Sequence, residues 1–356
     1  MHVPDFKNAR DLALESRILE GGRISVEEAV WLHDHAELGW LGALAHEVRW
    51  RHNPDPVVTY NVDRNINYTN TCTARCRFCA FYLPETSPHG YVLRWEEIRD
   101  KIRELIAIGG NQILLQGGLH PDFTVEWYGG MLRRIKAEPP GLWLHAFSAP
   151  DRVDIADISW LGYRETLERL RAAGMDSLPG GGAEILVSPV RDTIAVGKCT
   201  GEEWIAVHRE AHAIGMPTTS TMMFGTIETT EDRIRHLDMV RSLQDETSGF
   251  TAFICWPFQP DHTSLRKLVP RPATAVEYLR VNAVARIFLD NVPHLQSSWV
   301  TMGAKVGQLA LFYGCDDFGS VMMEENVVSA AGTTHHLDEE RIRRAVERSG
   351  FRPVRR

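Results

Sequence analysis

The chain has 356 residues, and its 39 basic and 47 acidic side chains give a formal net charge of −8. This acidic excess gives no basis for binding to nucleic acid or to an anionic membrane, since both attract cationic proteins. The sequence has no uncharged apolar run of the roughly 18 residues that a membrane span needs, and its start has no apolar stretch typical of a secretory signal. We therefore predict a cytoplasmic protein without a nucleic-acid or membrane partner.

The N-terminal part of the chain predicts a helical lead-in. Ser25 and Glu28 have the spacing of a capping box, in which the two side chains satisfy free backbone N–H groups at the start of a helix. The apolar residues Val26 and Val30 follow at helical spacing. A proline-rich break at 53–56 ends this part of the chain.

Farther along the chain, short apolar runs alternate with amphipathic segments. The runs have the length and composition of strands, and the segments between them repeat apolar residues at helical spacing. Candidate strands lie at 64–68, 113–115, 142–147, 217–221 and 250–255. Two intervening helices begin with capping boxes, Thr200 to Glu203 and Thr274 to Glu277. Strands that alternate with helices pair in parallel, because each parallel crossover needs a long connection.

The number of units predicts the architecture. About seven or eight strand–helix units fit after residue 60, which favours a (β/α) TIM-type barrel over an open doubly wound α/β sheet. We predict an N-terminal helical segment at 1–56, a barrel core at 57–290, and a C-terminal part at 291–356 that completes the barrel and adds a helical extension. In such a barrel the functional side chains lie at the carboxyl ends of the strands.

Three of the six cysteines, Cys72, Cys76 and Cys79, lie close together after the first predicted barrel strand. Three thiolates on so short a loop can bind one soft metal centre. A structural zinc site needs a fourth ligand at short spacing, and the nearest residue of that kind, His89, lacks the spacing of a paired knuckle. The spacing therefore favours a four-iron cluster with one open iron. The remaining cysteines are scattered and predict buried, inert thiols: Cys199, Cys255 and Cys315.

The spacing Cys-x3-Cys-x2-Cys, with Phe78 before the last cysteine, resembles the radical S-adenosylmethionine (SAM) superfamily. The resemblance implies a [4Fe-4S] cluster whose open iron binds the amino and carboxylate groups of SAM. It also implies a reducing electron donor such as flavodoxin or ferredoxin, and a 5′-deoxyadenosyl radical as the reactive species. A non-catalytic iron–sulfur or zinc protein stays open as an alternative from a different class.

Further motifs resemble the radical SAM enzymes of menaquinone biosynthesis by the futalosine pathway. They are QGGLHP at 116–121, PGGGAE at 179–184, WPFQP at 256–260, QSSWV at 296–300 and MMEENVV at 322–328. The last two look like the cyclic dehypoxanthinyl futalosine synthase branch. That branch implies hydrogen abstraction from C4′ of the sugar of dehypoxanthine futalosine, and then addition of the sugar radical to the benzoate ring. Aminofutalosine synthase and the deazaflavin-precursor synthase stay open as alternatives.

The resemblance also gives roles to residues around the cluster. Gly117 and Gly118 stand where the superfamily has a Gly-Gly-Glu segment that holds the SAM amino group, although Leu119 replaces the glutamate. Phe78 is expected to pack beside the cluster, with its backbone near the adenine. Ser148 follows a predicted strand and is expected on the same face as the cofactor.

Charged residues beyond these are candidates for binding and proton transfer. The resemblance places Glu184 near the ribose hydroxyls of SAM. Arg191 is a candidate partner for a carboxylate of SAM or of the substrate, and Lys198 and Arg209 compete for that role. Glu228 and Asp317 are candidates for removal of the ring proton, because each is predicted to follow a strand.

The benzoate carboxylate of the substrate needs a basic or hydroxyl-bearing partner. The sequence offers Ser297, Ser298 and Arg191 as candidates and does not choose between them.

Overall fold

The computed structural model describes residues 9–138 and 141–356. The lead-in forms three helices, α1 (Ala9–Leu19), α2 (Val26–His35) and α3 (Leu38–His52). The predicted capping box at Ser25 is confirmed: the Ser25 hydroxyl accepts from the Glu28 N–H at 3.2 Å, and the Glu28 carboxylate accepts from the Ser25 N–H at 2.8 Å. Residues 1–8 of the predicted helical segment lie outside the described part of the chain.

Strands and helices alternate from residue 57 onwards. The strands are β1 (Val57–Asn61), β2 (Asp63–Asn67), β3 (Gln112–Gln116), β4 (Trp143–Ala146), β5 (Thr218–Phe224), β6 (Phe250–Pro257), β7 (His294–Gln296), β8 (Asp317–Ser320) and β9 (Arg352–Arg355). The helices are α4 (Trp95–Ala107), α5 (Val125–Ala137), α6 (Ala149–Ser159), α7 (Tyr163–Ala172), α8 (Ser188–Ile194), α9 (Gly201–Ala213), α10 (Thr230–Thr247), α11 (Ala275–Phe288), α12 (Trp299–Met302), α13 (Ala304–Ala310) and α14 (Glu339–Arg348). All five strands expected from the apolar runs are confirmed.

The strands pair in parallel as two sheets that are joined at both seams. One sheet has the order β2-β3-β4 and the other β5-β6-β7-β8-β1-β9. Bridges at Ser177 and Leu178 connect β4 to β5. On the other side, the Val321 N–H donates to the Asn61 carbonyl at 3.0 Å, and Met323 to Asp63 at 3.2 Å. With β1 and β2 taken as one bent strand and 177–178 as another, the strands surround a common interior, and the predicted (β/α) barrel is confirmed.

The lead-in helices pack against the outside of the barrel. In α3 the buried Arg49 donates to the Val57 carbonyl at 2.8 Å and to the Cys315 carbonyl at 3.3 Å. These bonds fasten the helix to the start of β1 and to the segment that leads into β8. The predicted boundary at 56/57 therefore separates two closely packed parts, and the division into three domains stays a prediction.

The final strand was not expected from the sequence. β9 pairs in parallel with β1, on the side opposite β8. Its sequence, Arg-Pro-Val-Arg, has neither an apolar run nor a clear alternation, so no strand pattern marks it. Among the described helices, none combines the length and apolarity that a bilayer span requires.

Three histidines are enclosed by the barrel wall and its helices. Burial lowers the pKa of His145 and of His236 to about 3. Burial also lowers the pKa of His208, which packs against Trp204, far below its ordinary value. All three are therefore uncharged in the folded protein near neutral pH.

We expect these histidines to make the fold sensitive to acid. In the unfolded chain they bind protons below about pH 6.5, whereas in the folded chain they do not. The free energy of unfolding therefore falls as the pH drops from 6.5 towards 3, by up to about 1.4 kcal/mol per pH unit for each histidine. Urea unfolding at pH 7.5 and pH 5.5 measures this, and His208→Leu should flatten the dependence by about one proton. Equal unfolding free energies at the two pH values would contradict the expectation.

Candidate active site

The cysteine-bearing loop leaves the carboxyl end of β2 and is held on two sides by backbone hydrogen bonds. The Thr73 N–H donates to the Leu119 carbonyl at 2.9 Å, beyond the end of β3. The Arg75 N–H donates to the Val196 carbonyl at 2.8 Å, beyond α8. The loop, residues 68–83, is therefore fixed by the protein before any cofactor binds.

The three thiols of this loop lie together. Cys72, Cys76 and Cys79 share one small cluster with Ala74 and Leu119. The Leu119 N–H donates to Cys72 Sγ at 3.3 Å. Burial raises the pKa of Cys76 to about 12, and it also raises the pKa of Cys72. Thiols in such surroundings ionise only when a cationic centre compensates their charge.

Three thiols on one loop are a donor set that suits an iron–sulfur cluster. Within residues 9–138 and 141–356, no three His, Cys, Asp or Glu side chains are grouped as one metal ion needs. A zinc ion draws its ligands to about 2.0–2.3 Å from one point. In a four-iron cluster each cysteine binds a different iron, so the sulfurs stand apart. The N–H group directed at Cys72 Sγ is also the kind of contact that tunes a cluster sulfur.

Gly117 and Gly118 let the end of β3 lie directly against the cysteine loop. A Cβ on Gly118 would lie 2.1 Å from the Thr71 carbonyl oxygen, and one on Gly117 would lie 2.6 Å from the Tyr68 ring. The Gly118 N–H donates to the Thr69 carbonyl at 3.0 Å. The two glycines are therefore required by packing, and their predicted contact with SAM stays a prediction.

A second glycine-rich loop, residues 179–184, packs in space between the start of α6 and β5. A Cβ on Gly180 would lie 2.5 Å from Ser220 Cα. Gly182 has a positive φ of 79° and lies against Pro150, with its virtual Cβ 2.3 Å from Cγ. Ser148 caps α6 through Asp151, and its hydroxyl lies 3.4 Å from the same virtual Cβ. Ser148 therefore lies at the edge of this loop, and its predicted role at the cofactor stays a prediction.

A buried ion pair stands behind the cysteine loop. Glu184 is 3% exposed, and its carboxylate accepts from Lys198 Nζ at 2.7 Å. Lys198 Nζ also lies 5.3 Å from the centroid of the Phe78 ring. Burial opposes the charge on Lys198, but Glu184 and Cys76 outweigh it, so the pKa of Lys198 is above its ordinary value. A permanent cation thus stands close to the thiols.

Arg191 is a support of the glycine-rich loop. Its guanidinium donates to the carbonyls of Cys199 at 2.7 Å, Ala183 at 2.6 Å and Gly182 at 3.0 Å. The residue is 2% exposed. Its predicted contact with a carboxylate stays a prediction, and Lys198 is the better placed cation near the cluster.

The two acids predicted to remove a proton are both engaged elsewhere. Glu228 accepts from Arg233 Nε at 2.9 Å, in the turn after β5. Asp317 begins β8 instead of following a strand, and accepts from Arg356 Nε at 2.8 Å. Neither belongs to the described residues that line the barrel cavity. Their role in proton removal stays a prediction.

A cavity of about 590 Å³ occupies the barrel interior. This size suits a drug-sized ligand. It extends from Gly180 and Gly181, at the cofactor side, to Asp63 and Arg356 at the amino ends of the strands. Its walls are largely uncharged and combine amides, hydroxyls and indoles: Asn65, Gln116, His145, Ser177, Thr219, Thr221, Trp143, Trp256, Gln296, Ser298 and Trp299.

His145 lies in the middle of this cavity, and sequence reasoning missed it. Its Nδ1 lies 2.7 Å from the Ser177 hydroxyl, and its Nε2 lies 3.5 Å from the Thr219 hydroxyl. A polar residue at an inward position of a predicted strand was the available signal. Reading that signal requires the register of the strands, because only register separates the inward face from the outward face.

Comparison with known proteins gives two matching family models. The model described as the radical SAM superfamily matches residues 66–240, and the model described as the CofH/MqnC C-terminal region matches residues 247–356. A cyclic dehypoxanthine futalosine synthase from Halalkalibacterium halodurans is 46% identical over 96% of this chain and 91% of its own length. An aminodeoxyfutalosine synthase from Streptomyces coelicolor is 37% identical over 96% of this chain and 91% of its own length.

Among solved structures, the crystal structure of methylornithine synthase shares the fold. It superposes with a TM-score of 0.74 at 19% identity, and covers 96% of this chain and 97% of its own. At this identity the similarity concerns the fold alone.

Replacement of any cysteine in the loop should remove the iron. We expect Cys72→Ala, Cys76→Ala and Cys79→Ala to lose most of the iron, sulfide and visible absorbance after anaerobic reconstitution. Each variant leaves only two protein ligands for the cluster. Cys255→Ala is the matched control, since that thiol is fully buried away from the loop. A loop variant with the full iron content of the wild type would refute its assignment as a ligand.

Gly118→Ala should displace the loop without touching a thiol. The added methyl overlaps the Thr71 carbonyl, so we expect a loss of about 1–3 kcal/mol in unfolding free energy and a lower iron content. Gly130→Ala in α5 is the control, because no atom beyond its chain neighbours and the nearby backbone of its own helix lies within 4 Å of its virtual Cβ. Thermal unfolding and iron analysis measure both. Equal iron content and stability in the two variants would contradict the packing role of Gly118.

Proposed function

Because this chain belongs to the radical SAM superfamily, in the family of the cyclic dehypoxanthine futalosine synthases, we propose that it converts dehypoxanthine futalosine to cyclic dehypoxanthinyl futalosine in menaquinone biosynthesis. The observation that carries the proposal is the 46% identity to such a synthase along 96% of the chain. The aminodeoxyfutalosine synthase is more distant, at 37%. The barrel cavity, which reaches the glycine-rich loop at Gly180 and Gly181, supports a small-molecule substrate.

When bound, the [4Fe-4S] cluster and SAM supply a 5′-deoxyadenosyl radical that takes a hydrogen atom from C4′ of the substrate's sugar. In this proposal Cys72, Cys76 and Cys79 hold the cluster. Glu184 accepts hydrogen bonds from the ribose hydroxyls of SAM, and Lys198 balances the negative charge of the thiolates and of Glu184.

The cavity walls hold the substrate with its benzoate folded over the sugar. Closing the new ring is a proximity task, and an enclosed site also keeps water from the reactive carbon. Trp143, which is 44% exposed, offers a flat apolar wall for the aromatic ring. The substrate loses one hydrogen atom from C4′ and then one proton and one electron from the ring, so the product is two hydrogens lighter. Overall SAM is the oxidant: one SAM takes up the two electrons that the substrate loses and yields 5′-deoxyadenosine and methionine, while the ring proton is released.

The ring proton needs an acceptor inside the cavity. Among the described lining residues, the groups able to accept it are Asp63, His145 and Glu325. Burial lowers the pKa of His145 to about 3, which makes its imidazole a poor base, whereas burial raises the pKa of Asp63 and of Glu325. We infer that these residues are better placed for proton removal than Glu228 or Asp317.

A [4Fe-4S] cluster held by this loop would need a one-electron donor, and we propose flavodoxin or ferredoxin for this role. Exposed basic side chains adjoin the cysteine loop: Arg75 lies on it, and Lys267 lies on the neighbouring 3-10 turn. That turn is bonded to the loop through the Leu265 N–H and the Arg77 carbonyl at 2.8 Å. Positive charge at this point complements an acidic redox protein. Location in the cytoplasm stays a prediction.

Anaerobic incubation with SAM, a reductant and dehypoxanthine futalosine tests the proposed function. We expect one product two hydrogens lighter than the substrate, together with an equal amount of 5′-deoxyadenosine, measured by mass spectrometry. The Cys76→Ala variant should form neither. If the wild-type protein forms 5′-deoxyadenosine without the cyclised product, the proposed substrate is wrong.

A further inference from the structure

The amino ends of the strands form the floor of the barrel cavity. An arginine, Arg356, lies at the edge of this floor, directly after β9, the strand that the sequence did not predict. β9 runs parallel to β1, and the Arg356 N–H continues this pairing by donating to the Tyr60 carbonyl at 3.0 Å. The strand thereby brings the Arg356 side chain to the cavity, beside Asp63, Gln112 and Trp143. The preceding residue, Arg355, instead donates to the Gly109 carbonyl outside the cavity.

Among the described residues, the Arg356 guanidinium makes a hydrogen bond through Nε alone, and this bond orients it. Its Nε donates to Asp317 Oδ2 at 2.8 Å, and Asp317 is itself held by the Thr59 hydroxyl at 2.6 Å and the Gly319 N–H at 2.7 Å. The Asp317 side chain is 5% exposed, whereas 41% of the Arg356 side chain is uncovered. In the described part of the chain, no acceptor is bonded to the two terminal nitrogens. Asp317 therefore fixes the plane of the guanidinium and leaves its outer edge open.

The charge of Arg356 is unusual for this cavity. It is the one lysine or arginine among the described residues that line it. Two lining acids, Asp63 and Glu325, are buried enough that the pKa of each is raised. The charge of Arg356 also contributes, after burial, to the lowered pKa of His145. Arg356 is thus the one cation among the described lining side chains, and it lies at the end of the cavity that also contains Asp63.

We propose that Arg356 binds the benzoate carboxylate of the substrate through its two terminal nitrogens, with Asp317 as the positioning residue. This inference rests on the proposed function, because it takes dehypoxanthine futalosine as the ligand. A guanidinium held at Nε presents two parallel N–H groups, which match the two oxygens of a carboxylate. Trp143, which lines the same cavity at the first residue of β4, offers an aromatic surface for the attached ring.

The alternatives from the sequence are already occupied. The Ser298 hydroxyl is paired with the Thr301 hydroxyl at 2.8 Å, and the Ser297 hydroxyl with the Gly307 carbonyl at 3.3 Å. Arg191 braces a loop. With the carboxylate on the floor, the neutral sugar points towards the glycine-rich loop and the cofactor. The anchor therefore sets which end of the substrate meets the radical.

Arg356→Met, with Arg355→Met as the matched control, tests the inference. We expect Arg356→Met to weaken binding of dehypoxanthine futalosine by about 100-fold, as loss of one partner of an enclosed charge pair does. Calorimetry on the reconstituted enzyme without reductant measures this directly, and KM under turnover gives a second readout. Iron content and SAM affinity should not change, and Arg356→Lys should recover part of the loss. Arg355→Met should bind like the wild type.

The carboxamide analogue of the substrate separates a carboxylate contact from general damage. The wild type should prefer the acid over the amide by a factor similar to the loss in Arg356→Met, whereas Arg356→Met should bind the two equally. If Arg356→Met keeps the wild-type preference for the acid, the inference is wrong even if its affinity has fallen. If the wild type binds the acid tightly but forms no cyclised product, the proposed function fails and the binding result still decides the inference.

Discussion

The site depends on one contact, the backbone packing of the cysteine loop against the end of β3. Gly118 has no side chain, so its backbone can reach the Thr69 carbonyl, and the next residue can both accept from Thr73 and donate to Cys72 Sγ. Within the described residues 68–83, the cysteine loop contains no helix or strand that would fix its own conformation. The hydrogen bonds to the end of β3 fix this conformation. They place the thiols at the rim of the barrel, next to the glycine-rich loop and the buried Lys198.

From this rim the interior changes in character towards the floor. Near the cofactor side are glycines and a buried ion pair, in the middle are amides, hydroxyls and an uncharged imidazole, and at the floor is the cation of Arg356. A substrate that is neutral at one end and anionic at the other can enter such a gradient in one orientation. The fold therefore contributes direction as well as enclosure, while the bond-breaking power belongs to the cofactors.

Local signals predicted what depends on local structure. Capping boxes marked the starts of α2, α9 and α11, short apolar runs marked the strands, and the spacing of three cysteines marked the loop. Tertiary register decided the rest. Asp317 sits at the start of β8 and not after it, the guanidinium of Arg191 is used by backbone carbonyls, and β9 forms because β1 offers it a free edge. No pattern in Arg-Pro-Val-Arg could announce that strand.

In the proposed binding mode, the sugar carbon C4′ faces the cofactor while the carboxylate lies on the floor of the cavity. Turnover of dehypoxanthine futalosine that carries deuterium at C4′ alone tests this most directly. Mass spectrometry should find one deuterium in the 5′-deoxyadenosine and none in the cyclised product. Cyclised product that forms alongside unlabelled 5′-deoxyadenosine would contradict the claim, because a different hydrogen would then have met the radical.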